Sequence, residues 1–309
     1  MSKRRFSILV PIYFNELNIE HTVPRLKALE ESLPEYEFEF VFVDDGSRDS
    51  SLDLLLEERR KDSRVKVIKL SRNFGSMAAI QAGLTHVTGD CIGIITADLQ
   101  DPPELFVDMV RMWEKGNKVV LAVRGDRDES AGQKVFAGIY YYLLDRFALR
   151  GYPRGGFDFL LMDKQIVGEL NDVHEKNTNI LSLVFWLGHS RAIIPYTRQE
   201  RKHGVSRWTF SKKLKLFLDS FVSFSYAPIR IMSLTGIVTA SLSFVYGMFV
   251  VISLLLGHVH VRGYTTIIAL VTFLLGLIMV MLGIIGEYLW RILDESRNRP
   301  GYVIDEVYD

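Results

Sequence analysis

The sequence predicts an α/β protein with a mostly parallel sheet, followed by an amphipathic helix and a pair of apolar helices. Three observations lead there. Residues 6–123 alternate short apolar runs with amphipathic stretches of helical length, the pattern of strands joined by helical crossovers. Residues 206–226 repeat large apolar side chains at spacings of three and four. Two C-terminal runs, Ile231–Gly257 and Gly263–Gly286, carry no charged residue over 27 and 24 positions.

The predicted strands are Ser7–Tyr13, Glu39–Asp44, Val65–Leu70, Cys91–Ala97 and Lys118–Ala122. Helical patterns between them cover Leu17–Leu33, Ser51–Lys61, Ser76–Val87 and Glu104–Lys115. The N-terminal Lys3-Arg4-Arg5 precedes an apolar run too short for a secretion signal and interrupted by Pro11, so it opens the first strand. In the later stretch, Phe210, Leu214, Phe217, Phe221 and Phe224 form one stripe, with Lys212, Lys215, Asp219 and Ser223 opposite. Such a helix, leading into a membrane span, is expected to lie in the bilayer interface.

Each uncharged run is long enough to cross the hydrocarbon core of a bilayer, and the short linker His258–Arg262 makes the two a hairpin. Seven Lys or Arg and one acid lie between Arg198 and Lys215, and Arg230, Arg291, Arg297 and Arg299 flank the outer ends. The positive-inside rule therefore places residues 1–230 and the C-terminal tail in the cytoplasm of a multi-pass plasma (inner) membrane protein. The expected divisions are a catalytic domain over 1–205, a juxtamembrane helix over 206–228, two spans over 229–291 and a tail over 292–309. The 37 basic and 37 acidic residues of the 309 cancel, which argues against a nucleic-acid partner. The single cysteine, Cys91, excludes an internal disulfide and a cysteine-based zinc site.

Three polar motifs fall at strand ends, where open α/β sheets bind ligands. Asp44-Asp45-Gly46-Ser47-Arg48-Asp49 can present carboxylates to a nucleobase N–H and a ribose hydroxyl, or can serve only as a turn and helix cap. In Asp98-Leu99-Gln100-Asp101-Pro102-Pro103-Glu104, Asp98 and Gln100 would point the same way in extended chain and offer hard oxygen ligands for Mg²⁺ or Mn²⁺. Asp101 with its two prolines reads as a helix start. Asp158, among apolar residues in Gly155-Gly156-Phe157-Asp158-Phe159, needs either a charge partner or a catalytic task.

With Val10-Pro11-Ile12-Tyr13-Phe14-Asn15-Glu16, Arg72-Asn73-Phe74-Gly75, Arg201-x-x-Gly204-x-Ser206 and Arg299-Pro300-Gly301-Tyr302, these motifs make nearly the whole chain resemble glycosyltransferase family 2. Within it the resemblance is to polyprenyl-phosphate glycosyltransferases related to dolichol-phosphate mannose synthase, of the type that glucosylates bactoprenol for O-antigen modification. It implies a GT-A (Rossmann-like) fold. It also implies transfer of a hexosyl group, glucose from UDP-glucose, to undecaprenyl or another polyprenyl phosphate. GDP-mannose or a UDP-amino sugar are the alternative donors. It implies that Pro11, Tyr13, Glu16, Asp44, Asp45 and Asn73 hold the nucleotide, that Asp98 and Gln100 ligate Mg²⁺ or Mn²⁺, and that Asp158 is the catalytic residue. Arg124, Arg127, Lys134, Arg201 and Lys202 are the candidates for the acceptor phosphate.

Three departures stand out. Phe14 is additional to the common opening motif, Thr96 replaces a further Asp of many members, and Leu160 stands where some carry Arg. A processive polysaccharide synthase would carry Q-x-x-R-W, but Gly204 occupies the Gln position before Arg207-Trp208. A non-catalytic partner of a glycolipid flippase is the reading from another class, and a homo-oligomer is left open.

Overall fold

The computed structural model describes residues 3–125, 131–153, 156–173, 175, 179–199, 222–256 and 263–309, with 131–137 by backbone alone. The chain forms two compact units, Met1–Ser220 with Pro300–Asp309, and Phe221–Arg299.

The first unit is built on one sheet. Its strands are β1 (Arg4–Ile12), β2 (Tyr36–Asp44), β3 (Val65–Leu70), β4 (Cys91–Ile94), β5 (Val119–Arg124), β6 (Phe159–Asp163), β7 (Arg191–Tyr196) and β8 (Ile304–Tyr308). They lie in the order β7-β5-β6-β4-β1-β2-β3-β8. Strands β1 to β5 and β7 share one direction, whereas β6 and β8 oppose their neighbours. The helices are α1 (Glu16–Lys27), α2 (Leu29–Ser32), α3 (Ser51–Lys61), α4 (Ser76–Leu84), α5 (Leu105–Glu114), α6 (Ala131–Phe147), α7 (Lys164–Asn171) and α8 (Ile180–Trp186). The central strands are covered on both faces, so Phe6, Ile8, Leu9 and Val10 of β1 and Phe40 to Val43 of β2 are all buried. That is why these strands read as apolar runs rather than as alternating patterns.

This topology gathers the polar motifs. Pro11–Asn15, Asp44–Gly46, Arg72–Gly75 and Thr96–Asp101 lie at or just beyond the carboxyl ends of β1 to β4, and Arg124 and Tyr196 end β5 and β7. Asp158 immediately precedes β6, which runs the other way, so it meets the same sheet edge.

The end of the tail adds a strand that the sequence reading did not include. Residues Ile304–Tyr308 form an edge strand paired to β3, with Ser71 N donating to Val303 O at 3.0 Å and Lys69 Nζ 2.5 Å from Asp305. Its acidic composition, Ile-Asp-Glu-Val-Tyr, hid the strand, because an exposed edge needs little apolar surface.

The second unit contains α9 (Ala227–Leu255) and α10 (Tyr264–Ser296). Both contain stretches long and apolar enough to cross a membrane, Ala227–Phe249 and Phe273–Ser296, whose most apolar segments are not buried within the protein. The hydroxyls of Thr235 and Thr239 donate to the carbonyls four residues earlier at 2.8 Å, which satisfies them without water. The expected juxtamembrane helix up to residue 221 and the linker His258–Arg262 lie outside the described residues.

Removing Pro300–Asp309 strips the β3 edge of its partner. We expect a loss on the order of 2 kcal/mol, lowering the thermal midpoint by roughly 4–8 °C for a unit of this size. Thermal unfolding of the detergent-solubilised truncation followed by tryptophan fluorescence checks this; an unchanged midpoint would show that the strand adds nothing.

Candidate functional site

The two adjacent acids after β2 have separate environments. Asp44, 1% exposed, accepts from Ser47 N at 3.3 Å and closes the turn after its strand. Burial raises its carboxyl above the ordinary value, with Ser47 opposing. Asp45, 2% exposed, accepts from Phe74 N at 2.6 Å, Gly75 N at 2.9 Å and Asn73 Nδ2 at 2.8 Å. Its carboxylate therefore organises the loop entering α4. Burial pushes the carboxyl up to about 6, the Phe74 and Gly75 amides oppose, and the Asp44 charge adds to the rise. Gly46 between Asp45 and Ser47 has φ 69°, and a Cβ there would lie 2.6–2.8 Å from backbone atoms of Arg72 and Asn73. The two loops touch backbone to backbone, which glycine alone permits.

The opening motif locks onto the same region. Phe14, the additional residue, takes φ 54° and donates its amide to Ser47 Oγ at 3.0 Å. Tyr13 meets the Phe14 ring edge-on at 4.7 Å between centroids. Glu16 accepts from Ser50 N at 3.0 Å while its own amide lies 3.4 Å from Asp49 Oδ2, so the starts of α1 and α3 cap each other. Pro11 pairs in register with Val43, one residue before Asp44.

The turn after β4 corrects one expectation. Asp98 and Gln100 do not sit in extended chain, because Leu99 between them adopts φ 54°. A left-handed non-glycine residue costs about 1 kcal/mol or more, so the surroundings must hold it. They do so at several points. Thr96 Oγ1 lies 2.8 Å from Asp98 Oδ1, Gln100 N donates to Asp98 Oδ1 at 3.3 Å, and Gln100 is clasped by Gln199 through N–O contacts of 2.8 and 3.3 Å.

Asp101 is likewise no helix start; α5 begins at Leu105. With 0% exposure, Asp101 accepts from the Tyr196 hydroxyl, lies 3.2 Å from Thr96 Oγ1 and forms an ion pair with Arg198 at 3.4 Å. Burial raises its carboxyl; Arg198 and Tyr196 pull the other way. Asp158 is ion-paired to Arg124, one of the proposed acceptor-binding cations, and its side chain is 45% exposed, so its setting is less apolar than its sequence neighbours imply. Arg124 and Tyr196 are register partners on neighbouring strands and close enough for a side-chain hydrogen bond.

The structure thus brings Asp44, Asp45, Asn73, Asp98, Gln100, Arg124 and Asp158 to one sheet edge. Arg127, Arg201 and Lys202 lie outside the described residues, and Lys134 is placed only as a backbone position in the first turn of α6. Tyr196, Arg198 and Gln199 were not legible as site residues, since they reach Gln100 and Asp101 from about a hundred residues away. A separate cavity of about 500 Å³, lined by Arg4, Asp90, Trp113, Lys118 and Asp163 among others, opens at the opposite strand ends. Two ion pairs lie in it, Lys118 with Asp163 at 3.1 Å and Arg4 with Glu114 at 3.8 Å, and no motif residue lines it.

Residues 7–170 match the family described as glycosyl transferase family 2. The chain belongs to glycosyl transferase family 2. It is 39% identical over 306 residues to YkcC, an uncharacterized glycosyltransferase of Bacillus subtilis, covering 98% of this chain and 94% of that protein. It is 33% identical over 301 residues to the bactoprenol glucosyl transferase of Shigella phage SfV, covering 97% and 98%. A solved mannosyltransferase of Pyrobaculum calidifontis, in complex with GDP-Man and Mn²⁺, is 16% identical with a TM-score of 0.47, covering 65% of this chain and 58% of that one. As a family 2 member this chain is a glycosyltransferase, and its mixed sheet with the motif loops at one edge is the GT-A-like arrangement.

The raised carboxyl of Asp45 has a stability consequence. A folded-state value of about 6, above the ordinary 3.8, means that the folded protein holds this proton more tightly than the unfolded chain. The contribution is fully present below about pH 4 and is lost as pH rises through 6. Asp45→Asn cannot titrate, so between pH 4.5 and 7 its thermal midpoint should fall less steeply than that of the wild type. Equal slopes in parallel melts would show that Asp45 titrates normally.

Proposed function

We propose that this glycosyltransferase moves glucose from UDP-glucose to undecaprenyl phosphate, or a similar polyprenyl phosphate, at the cytoplasmic face of the plasma membrane. The observation that carries the reading is the similarity to the phage bactoprenol glucosyl transferase, which runs through the sheet-bearing unit and the apolar helix pair alike. A lipid acceptor requires a membrane-held enzyme, and the helix pair supplies the anchor. The chain on both sides of that pair belongs to the same unit, as an even number of crossings requires.

Asp44 and the Asp45-organised loop carrying Asn73, together with Pro11, Tyr13 and Glu16, form the nucleotide side of the site. Asp98 and Gln100 would hold Mg²⁺ or Mn²⁺, whose charge offsets that developing on the departing diphosphate. The donor set fits such an ion, because carboxylate and amide oxygens are hard ligands. Among the described residues no three His, Cys, Asp or Glu side chains converge, so diphosphate oxygens and water would complete the shell. Arg124, with Arg127, Lys134, Arg201 and Lys202, supplies cations for the acceptor phosphate. That phosphate is largely ionised near neutral pH, its second pKa being about 6, so no strong base is needed. Asp158 orients Arg124 and takes any residual proton as the phosphate oxygen attacks the anomeric carbon. The new bond forms opposite the leaving UDP, with inversion.

Purified protein in detergent, supplied with undecaprenyl phosphate and a panel of nucleotide-sugars, tests this by thin-layer analysis of labelled lipid. UDP-glucose is expected to give glycolipid, excess EDTA to abolish it, and Asp98→Ala to slow it on the order of a hundredfold. Full activity in EDTA would remove the metal from the mechanism; preference for GDP-mannose or a UDP-amino sugar would reassign the donor.

A further inference from the structure

The two halves of the proposed reaction are joined by a polar path that is buried at its centre, Asp101 and Tyr196. Asp158 pairs with Arg124; Arg124 stands beside Tyr196 in the sheet register; the Tyr196 hydroxyl donates to Asp101; and Thr96 lies between Asp101 and Asp98 at 3.2 and 2.8 Å. The path runs from the residue assigned to the acceptor side to the residue assigned to the donor diphosphate side. Every link is a side-chain contact except Arg124–Tyr196, which is a register pairing of neighbouring strands, and the midpoint, Asp101, has no exposure to water.

Two features separate this path from ordinary structural polar bonding. A carboxylate buried at 0% exposure is costly and could be replaced by an apolar residue if it only filled space. Its partners are also the residues that flank both proposed binding functions. Thr96 precedes Asp98 by two positions, and Arg198 is followed by Gln199, which holds Gln100 by main chain and side chain. The Thr96 hydroxyl has one proton and two carboxylate neighbours, so it can donate to only one of Asp98 and Asp101 at a time. The Tyr196 hydroxyl has a single proton and donates it to Asp101, while its strand register sets it beside Arg124.

We infer that Tyr196 and Thr96 are positioning residues that fix Arg124 and Asp98 in one geometry through Asp101. The acceptor phosphate and the donor diphosphate are thereby held at a fixed separation. This deepens the proposed function and rests on it. It also assigns a task to Thr96, the residue that replaces a carboxylate of many relatives. Rather than ligating the metal, its hydroxyl ties the remaining Asp98 to the buried acid. Neither residue is assigned contact with the reacting atoms, so the expected signature is a loss in turnover with little change in donor affinity.

Tyr196→Phe keeps the ring, which packs edge-on to Phe159 at 6.3 Å, and removes the hydroxyl alone. Thr96→Val is close to isosteric and does the same at the other link; Thr96→Ser restores the hydroxyl. UDP-glucose affinity by titration calorimetry, glucosyl transfer kinetics to undecaprenyl phosphate and thermal midpoint are measured for each in detergent. We expect kcat to fall roughly tenfold or more in Tyr196→Phe and Thr96→Val, with UDP-glucose affinity within about threefold of wild type and recovery in Thr96→Ser. Wild-type kcat in both hydroxyl-deleted variants would overturn the inference. So would equal losses of turnover and donor affinity, which mark local collapse. A wild-type protein that binds UDP-glucose but glucosylates no lipid phosphate would overturn the proposed function itself, and the positioning role with it.

Discussion

A carboxylate sealed from water constrains the sheet edge more than any other single feature. Asp101 has no exposure, and a charge in that position persists only when partners replace its hydration. Tyr196 and Arg198 at the end of β7 and Thr96 at the end of β4 provide them. Satisfying one acid therefore fixes the exits of two strands that are not neighbours in the sheet. Gln199 then grips Gln100, and the strained Leu99 conformation is held between these fixed points. Asp45 performs the same service on the other half of the edge, drawing the 73–75 loop onto the turn at Gly46. The loops that carry the family motifs are thus tied down by buried acids, not by the apolar core beneath them.

The strands that bury both faces were legible as apolar runs, and their order with the helices between them predicted the parallel core. The elements that escaped are those in which burial does not write itself into composition. β7 alternates exposed and half-buried positions and contains Pro195; β8 carries two adjacent acids at an edge; β6 follows Gly155-Gly156 closely in sequence. Asp101-Pro-Pro was misread because local chemistry, a good helix entry, competed with a partner 95 residues distant. The adjacent Asp44 and Asp45 looked equivalent in sequence, yet three donors from one loop converge on Asp45 while Asp44 closes its own turn. Asp158 was recognisable as needing a partner, and Arg124 was recognisable as a cation near the site. Their pairing required the antiparallel placement of β6 beside β5.

The second unit obeys a different solvent. Phe244, Leu242 and Phe273 are each about two-thirds exposed, and in α9 the hydroxyls of Thr235 and Thr239 are satisfied within the helix. Such surfaces are those expected of helices that cross a membrane. The chain leaves the sheet-bearing unit before the helix pair and re-enters it afterwards to add an edge strand. The sheet-bearing unit and the helix pair are therefore joined by two covalent connections. That arrangement suits an enzyme whose acceptor phosphate stays at a membrane surface while its donor arrives from solution.

If the lipid phosphate oxygen displaces UDP in a single step across this edge, the configuration at the anomeric carbon must invert. The decisive measurement is the anomeric configuration of the glucosylated undecaprenyl phosphate made from UDP-α-glucose by the purified protein, read by proton–phosphorus-coupled NMR. A single β-glucosyl phosphate is the predicted product. An α-linked product, or free glucose released without any lipid-linked sugar, would contradict direct transfer to the lipid phosphate.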